Sequence, residues 1–234
     1  MILVNEIFHS IQGEGPHVGK PAIFLRLAGC NLRCTWCDSK FTWNTPINRV
    51  NRTSKATNDR NKIETNNELI KKIKSYPCKH LVITGGEPLI QQDKLIPLLE
   101  ELKDYFIEVE TNGSIPLRIT KYIEQINCSP KLSNSGNKEY ELMIKPEEKV
   151  IYKFVINSTE SENGDSRQWE DIKDIKHFIK KNNIPKSSVY LMPEGTNRTK
   201  IIESSKKLIE ICKKEGYNFS PRLHVMLWGN KRGK

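Results

Sequence analysis

Short apolar runs recur along the chain, each bounded by polar or turn-forming residues. Ala22 to Leu27, His80 to Thr84, Tyr105 to Glu110, Gln125 to Ser129, Tyr152 to Ile156 and Val189 to Met192 are brief and rich in β-branched or aromatic residues, which predicts six strands. Helical spacing fills the intervals at Asn67 to Ser75, Gln91 to Lys103, more weakly Leu117 to Ile123, then Trp169 to Lys181 and Arg198 to Glu215. In the last of these Ile201, Ser205, Leu208 and Cys212 share one stripe, with Ile202 and Ile209 beside it, as a helix lying on a sheet requires. Alternation of strand and helix predicts right-handed crossovers and a parallel sheet. Loops at the carboxyl ends of the strands then gather on one face, where chemistry in such sheets collects.

A chain of 234 residues suits one α/β barrel-like unit better than two domains, so a single domain over 1–234 is expected. No apolar run approaches the roughly 18 residues a membrane span needs. The opening from Met1 to Glu6 is too short, and acidic too early, for a secretory signal. A cytoplasmic enzyme away from the membrane is expected. The formal charge of +10 is partly local: Arg49, Arg52, Lys55, Arg60 and Lys62 stand against Asp59 alone. That stretch belongs to a hydrophilic insertion near 41–65, read first as a solvated loop and second as a docking surface for an acidic electron donor. No internal repeat or low-complexity tract is present.

Three of the six cysteines crowd together in Cys30-Asn31-Leu32-Arg33-Cys34-Thr35-Trp36-Cys37, directly after the first predicted strand. Cys78, Cys128 and Cys212 read as isolated buried thiols. The C-x3-C-x2-C spacing has no second cysteine pair to close a structural zinc site. Three thiolates on a four-iron cluster leave one iron open to a ligand. The competing reading is a zinc knuckle completed by His9, His17 or another remote histidine. Two further loops follow predicted strands. Thr84-Gly85-Gly86-Glu87-Pro88 offers glycines that let backbone approach a ligand and a carboxylate that can accept from a cationic amine. Glu110-Thr111-Asn112-Gly113 closes the third predicted strand and offers the Glu110 carboxylate and the Asn112 amide to a ligand. Ser129-Pro130-Lys131 is a weaker candidate, since Ser-Pro also starts ordinary turns.

This order of motifs resembles the radical S-adenosylmethionine superfamily. The resemblance implies an open, partial TIM-like barrel of about six parallel strands with outer helices. It also implies a 4Fe-4S cluster on Cys30, Cys34 and Cys37 that binds and reductively cleaves S-adenosylmethionine, with Trp36, Cys37, Asp38, Gly85, Gly86, Glu87, Glu110, Asn112, Ser129, Pro130 and Lys131 around the cofactor.

The amino-terminal run Ser10 to Gly15 and the run Phe24 to Leu32 narrow the likeness to the 7-carboxy-7-deazaguanine synthase family. That family converts 6-carboxy-5,6,7,8-tetrahydropterin to a 7-deazapurine with loss of ammonia, on the route to queuosine, archaeosine and related bases. Ile11, Gln12, Gly13, Glu14, Arg26, Thr84 and His224 are then the expected substrate contacts. A carboxylate and exposed backbone suit an aminopyrimidinone edge, and Arg26 suits the C6 carboxylate, its alternative being a structural pair within the sheet. Ser39 stands where the family usually has a threonine that helps bind Mg2+, and it keeps the hydroxyl. No side chain is assigned as a catalytic acid or base. A flavodoxin or ferredoxin as reductant and a homodimer are implied by the family alone. Two other readings stay open: a glycyl-radical-enzyme activase of the same superfamily, and a basic zinc or cluster protein that binds RNA without catalysis. The first would need a protein-docking face in place of a small cavity.

Overall fold

The computed structural model describes residues 1–43, 61–156 and 167–234. All six predicted strands form: β2 (Pro21–Leu27), β4 (His80–Gly85), β5 (Phe106–Thr111), β6 (Gln125–Cys128), β7 (Val150–Ile156) and β8 (Val189–Pro193). They lie side by side in that order and parallel, from Leu25 opposite Ile83 at one side to Val155 opposite Met192 at the other. The sheet is open and unclosed, a partial barrel.

Three strands were not foreseen. β1 (Ile2–Ile11) runs antiparallel to β2, β3 (Lys62–Glu64) pairs antiparallel with β1 at the edge, and β9 (Asn218–Phe219) extends the other edge beside β8. The sheet is therefore mixed rather than wholly parallel. β1 hides from a period-two reading because its register shifts between Val4 and Glu6. Such a bulge reverses which residues face inward. Ile2 and Val4 pack into the main core, whereas Glu6 and Phe8 reach the opposite, ligand-facing side.

Helices α1 (Asn66–Lys74), α2 (Gln92–Glu100), α3 (Arg167–Lys181) and α4 (Arg198–Glu215) fall where the spacing put them, and a short α5 (Leu223–Trp228) follows. The expected helix at Leu117 to Ile123 is instead a single 3-10 turn at Thr120–Tyr122, too brief to carry a crossover stripe. α1 begins in a capping box: the Thr65 hydroxyl accepts from Glu68 N–H while the Glu68 carboxylate accepts from Thr65 N–H. α4 starts at Asn197, whose side chain accepts from Thr199 and Lys200, and ends at Gly216 with φ +74°.

Alternation along the strands sorts the two faces. Leu25, Ile83, Val109, Ile126, Phe154 and Leu191 point toward the helices and pack with Leu69, Leu98, Ile175 and Leu208 in one core. Each such side chain contributes about 1.5–3 kcal/mol when fully buried. The other face carries Arg26, Thr84, Glu108, Glu110, Asn127 and Lys153, so the barrel interior is polar. Of the insertion near 41–65, residues 44–60 lie outside the described residues, including Arg49, Arg52, Lys55, Asp59 and Arg60. Its end is not loop but β3. Cys128 and Cys212 are buried as expected, while Cys78 is only half-buried, its thiol donating to the Pro21 carbonyl at 3.3 Å. No described helix is long and apolar enough to cross a membrane.

Candidate active site

The cysteine loop leaves the carboxyl end of β2 and is tied to its neighbours through backbone. Gly29 N–H donates to Thr42 O at 2.7 Å, Glu87 N–H to Gly29 O at 2.8 Å, and Thr35 N–H to Ser135 O at 3.0 Å. Each cysteine sulfur accepts a nitrogen donor: Cys30 from Leu32 N–H at 3.4 Å, Cys34 from the Asn137 amide at 3.1 Å, Cys37 from the Trp43 indole at 3.4 Å. Thiolate ligands of an iron–sulfur cluster are tuned by such donors. The three sulfurs border one cavity and are not drawn together around a single point, as ligands to one ion would be. A cluster whose irons each take one thiolate suits that spread. The histidines considered for a zinc knuckle are elsewhere: His9 is exposed against Tyr76, and His17 sits beside Glu108 below the cavity.

The Thr84 to Pro88 loop works differently from the expectation. A Cβ on Gly85 would come within 2.1 Å of Leu27 O, and one on Gly86 within 2.2 Å of Gly29 O. The glycines let this loop close against the base of the cysteine loop, so the intimate approach is between two stretches of the protein's own backbone. Gly85 also takes φ +143°, a region that side chains avoid. Glu87 is wholly buried and points away from the cavity. Its carboxylate accepts from Leu89 N–H at 3.0 Å, the Thr111 hydroxyl at 2.9 Å and Asn112 N–H at 2.7 Å. It joins the β4 and β5 loops and does not offer itself to a cofactor amine. Burial pushes this carboxyl up to about 7 despite those donors. Pro130 is buried and likewise off the cavity.

All the other predicted site residues line the same cavity of about 270 Å³ at the carboxyl ends of the strands. Asn112 stands there with its amide donating to Asn31 at 3.0 Å, bridging back to the cysteine loop. Lys131 Nζ donates to the Ser129 hydroxyl at 2.7 Å and lies 5.3 Å from the Trp36 ring centre. Gly13 has no room for a Cβ, which would meet His224 Nδ1 at 2.3 Å. Gln12 is spent internally: its carbonyl oxygen accepts from Gly13 N–H at 2.9 Å and Glu14 N–H at 3.3 Å, and its amide donates to Glu108 at 2.8 Å. It shapes the Gly13–Glu14 loop from beneath. Arg26 faces the cavity but already pairs with Glu6 directly across β1 and β2 at 2.8 Å, the structural alternative weighed above.

Two cations that the sequence reading passed over organise the floor. Lys153, 1% exposed, lies 2.9 Å from Glu14 and 2.6 Å from Glu110. Arg222 contacts Glu14 at 3.3 Å and also binds Asp38 and the Gly195 carbonyl. Burial alone would raise the Glu14 carboxyl, but Lys153, Arg222 and His224 outweigh it and hold Glu14 well below the usual carboxylate range. Burial works against Asp38 too, yet Arg222 beside it keeps that carboxyl low. The result is a chain of alternating ionic groups, Asp38–Arg222–Glu14–Lys153–Glu110, running from the cysteine loop across the cavity floor, in which burial outweighs Lys153 only at Glu110 and raises that carboxyl. Only alternation signalled Lys153, which falls opposite in phase to Tyr152 and Phe154.

Comparison with known proteins agrees with this geometry. A family model described as the Radical SAM superfamily matches residues 25–208. The 7-carboxy-7-deazaguanine synthase of Pyrobaculum aerophilum is 32% identical over 240 residues, covering 100% of this chain and 97% of that one. The synthase of the same name from Aquifex aeolicus is 31% identical, covering 96% and 92%. The crystal structure of QueE from Escherichia coli superposes with a TM-score of 0.71 at 27% identity, covering 95% and 94%. Cysteine loop, open barrel and relatives spanning the whole chain lead to one conclusion: the chain belongs to the radical SAM superfamily and, within it, to the 7-carboxy-7-deazaguanine synthase family.

Proposed function

We propose that this protein is a radical SAM carbon–nitrogen lyase that converts 6-carboxy-5,6,7,8-tetrahydropterin to 7-carboxy-7-deazaguanine with loss of ammonia. The observation that carries the reading is a single cavity with three cysteine sulfurs on one wall and a buried, alternating ion chain as its floor. Cys30, Cys34 and Cys37 would hold a 4Fe-4S cluster, which when bound would supply the electron for reductive cleavage of S-adenosylmethionine and so for hydrogen removal from C6 of the pterin.

The chain's own part is placement and exclusion of water. Glu14 is the acceptor for the aminopyrimidinone donors of the pterin, kept ionised by Lys153 and Arg222. The Gly13 backbone, Ile11 and Thr84 shape the same side. Arg26 meets the C6 carboxylate by sharing its guanidinium between Glu6 and the ligand, since Glu6 occupies Nε at 2.8 Å. Glu110, Asn112, Ser129 and Lys131 face the nucleoside side, with Trp36, Asp38 and the Gly85–Gly86 backbone. Ser39 is a Mg2+ ligand in this reading, one hydroxyl among substrate and water oxygens, as that ion accepts. No titrating acid or base is assigned; the fixed charges orient, and the chemistry comes from the cofactors.

An acidic flavodoxin or ferredoxin as reductant, a homodimer and a cytoplasmic location complete the proposal. The test is anaerobic turnover of the carboxypterin by the reconstituted enzyme with reductant, S-adenosylmethionine and Mg2+. Deazapurine formation that needs S-adenosylmethionine without consuming it stoichiometrically supports the proposal. Deoxyadenosine release without deazapurine would assign the cavity to another substrate.

A further inference from the structure

Beneath the cavity, at the opposite ends of the strands from the cysteines, three side chains converge that the proposed reaction does not use. His80 opens β4, Glu108 lies in β5, and His17 ends the 3-10 turn Gly15–His17. One ligand atom from each, two imidazole nitrogens and a carboxylate oxygen, lies within 4.8 Å of the other two. Zinc bonds of about 2.0–2.2 Å at tetrahedral angles put ligand atoms roughly 3.3–3.5 Å apart, so an ion would part His17 from Glu108, which now touch directly, while His80 Nε2 already stands 3.1 Å from the same oxygen.

The polar accounting around the trio points to a missing partner. His80, only 9% exposed, holds its Nε2 at 3.1 Å from Glu108 Oε1 as an ion-pair contact, and no group other than that carboxylate satisfies the nitrogen. His17 Nδ1 meets the same carboxylate oxygen. Two imidazole nitrogens therefore aim at Oε1 from two directions. The second oxygen, Oε2, is held apart by the Gln12 amide at 2.8 Å and the Asn127 amide at 3.1 Å. Metal-binding carboxylates are oriented in this manner, one oxygen for the ion and the other for surrounding donors. Phe106 closes the site edge-on, 4.9 Å from the His17 ring and 5.2 Å from that of His80.

We propose that His17, His80 and Glu108 bind a divalent transition-metal ion, zinc by donor set, at the amino-terminal end of the barrel. Two imidazoles and one carboxylate are a recurrent zinc set that leaves the fourth position to water. The ion's role is structural. It cross-links the turn after β1 to β4 and β5, and through Glu108 and Gln12 it braces the Gly13–Glu14 loop.

The test separates this site from the cysteines. A chain carrying Cys30→Ala, Cys34→Ala and Cys37→Ala is equilibrated with Zn2+ or Co2+, freed of loose metal on a desalting column, and assayed for bound metal. The expected result is one equivalent per chain, a Co2+ spectrum lacking thiolate charge transfer, and a higher melting temperature with Zn2+ than without. Adding His80→Ala to this background, or His17→Gln on the surface turn as the gentler change, is expected to lower metal affinity by about tenfold or more. The intact holoenzyme should carry zinc alongside its cluster iron, and lose the zinc alone in His17→Gln. A chain lacking Cys30, Cys34 and Cys37 that retains neither metal, or retains it equally after both histidine changes, overturns the proposal.

Discussion

Lys153 is a buried ammonium between two carboxylates, and its removal would strand both. Truncating one member of a buried ionic set commonly costs about 3–5 kcal/mol, mostly through the charge left unpaired. Lys153→Met is therefore expected to lower unfolding free energy by about that much in denaturant titration. Adding Glu110→Gln should recover part of the loss, and a double variant no better than the single one would contradict the account. Glu87 gives a prediction of the opposite kind. Burial raises it from 4.5 to about 7, so between those values the folded chain keeps a proton that the unfolded chain releases. The stability from that proton is complete below 4.5 and is lost as pH rises through about 7. Urea unfolding of the cluster-free chain across this window should show falling stability, with a flatter profile for Glu87→Gln; equal slopes would contradict it.

These residues also mark where sequence reading reaches its limit. The three cysteines were legible because their spacing is local and chemically selective. Glu87, Gly85 and Gly86 were found, but their contacts within the protein were not: the glycines line the cavity and also close on the cysteine loop, and Glu87 ties to the β5 loop, since a strand-end loop that fits a ligand looks the same as one that fits a neighbouring loop. Lys153 and Arg222 reach Glu14 across 139 and 208 residues of chain, and nothing local announces either contact.

At the scale of elements, the loop after β4 must lie flush on the end of β2. Gly86→Ala would drive a methyl group toward Gly29 O and the Cys30 side chain, at 2.2 and 2.9 Å. Backbone cannot yield as a side chain tip can, so the cysteine loop is expected to move. Iron retained after reconstitution should fall several-fold in Gly86→Ala while secondary structure by circular dichroism is kept; full iron loading would contradict this contact. The six parallel strands and α4 were readable because their patterns are regular and buried. β1 was not, because the bulge after Val4 breaks its alternation at the point where Glu6 and Phe8 turn toward the cavity. β9 is two residues long and carries no pattern to read.

The whole molecule is an open barrel whose two faces divide the work. One face is an apolar core under the helices; the other is a polar interior graded from the cysteines above to the His17–His80–Glu108 group below. The carboxyl-terminal segment joins the rim: Arg232 lies 3.7 Å from the Phe41 ring centre and 3.5 Å from Glu6, the residue that also holds Arg26. Its place was not legible, because its partners are near the other end of the chain. What the architecture proposes above all is one iron without a protein ligand, facing that cavity. The direct measurement is electron paramagnetic resonance of the anaerobically reconstituted, reduced protein before and after adding S-adenosylmethionine. The account predicts a reduced four-iron signal whose g-values shift on addition, and the loss of that signal when Cys34 is replaced by Ala. A signal indifferent to S-adenosylmethionine, or a protein that takes up zinc at the cysteines in place of iron and sulfide, would contradict it.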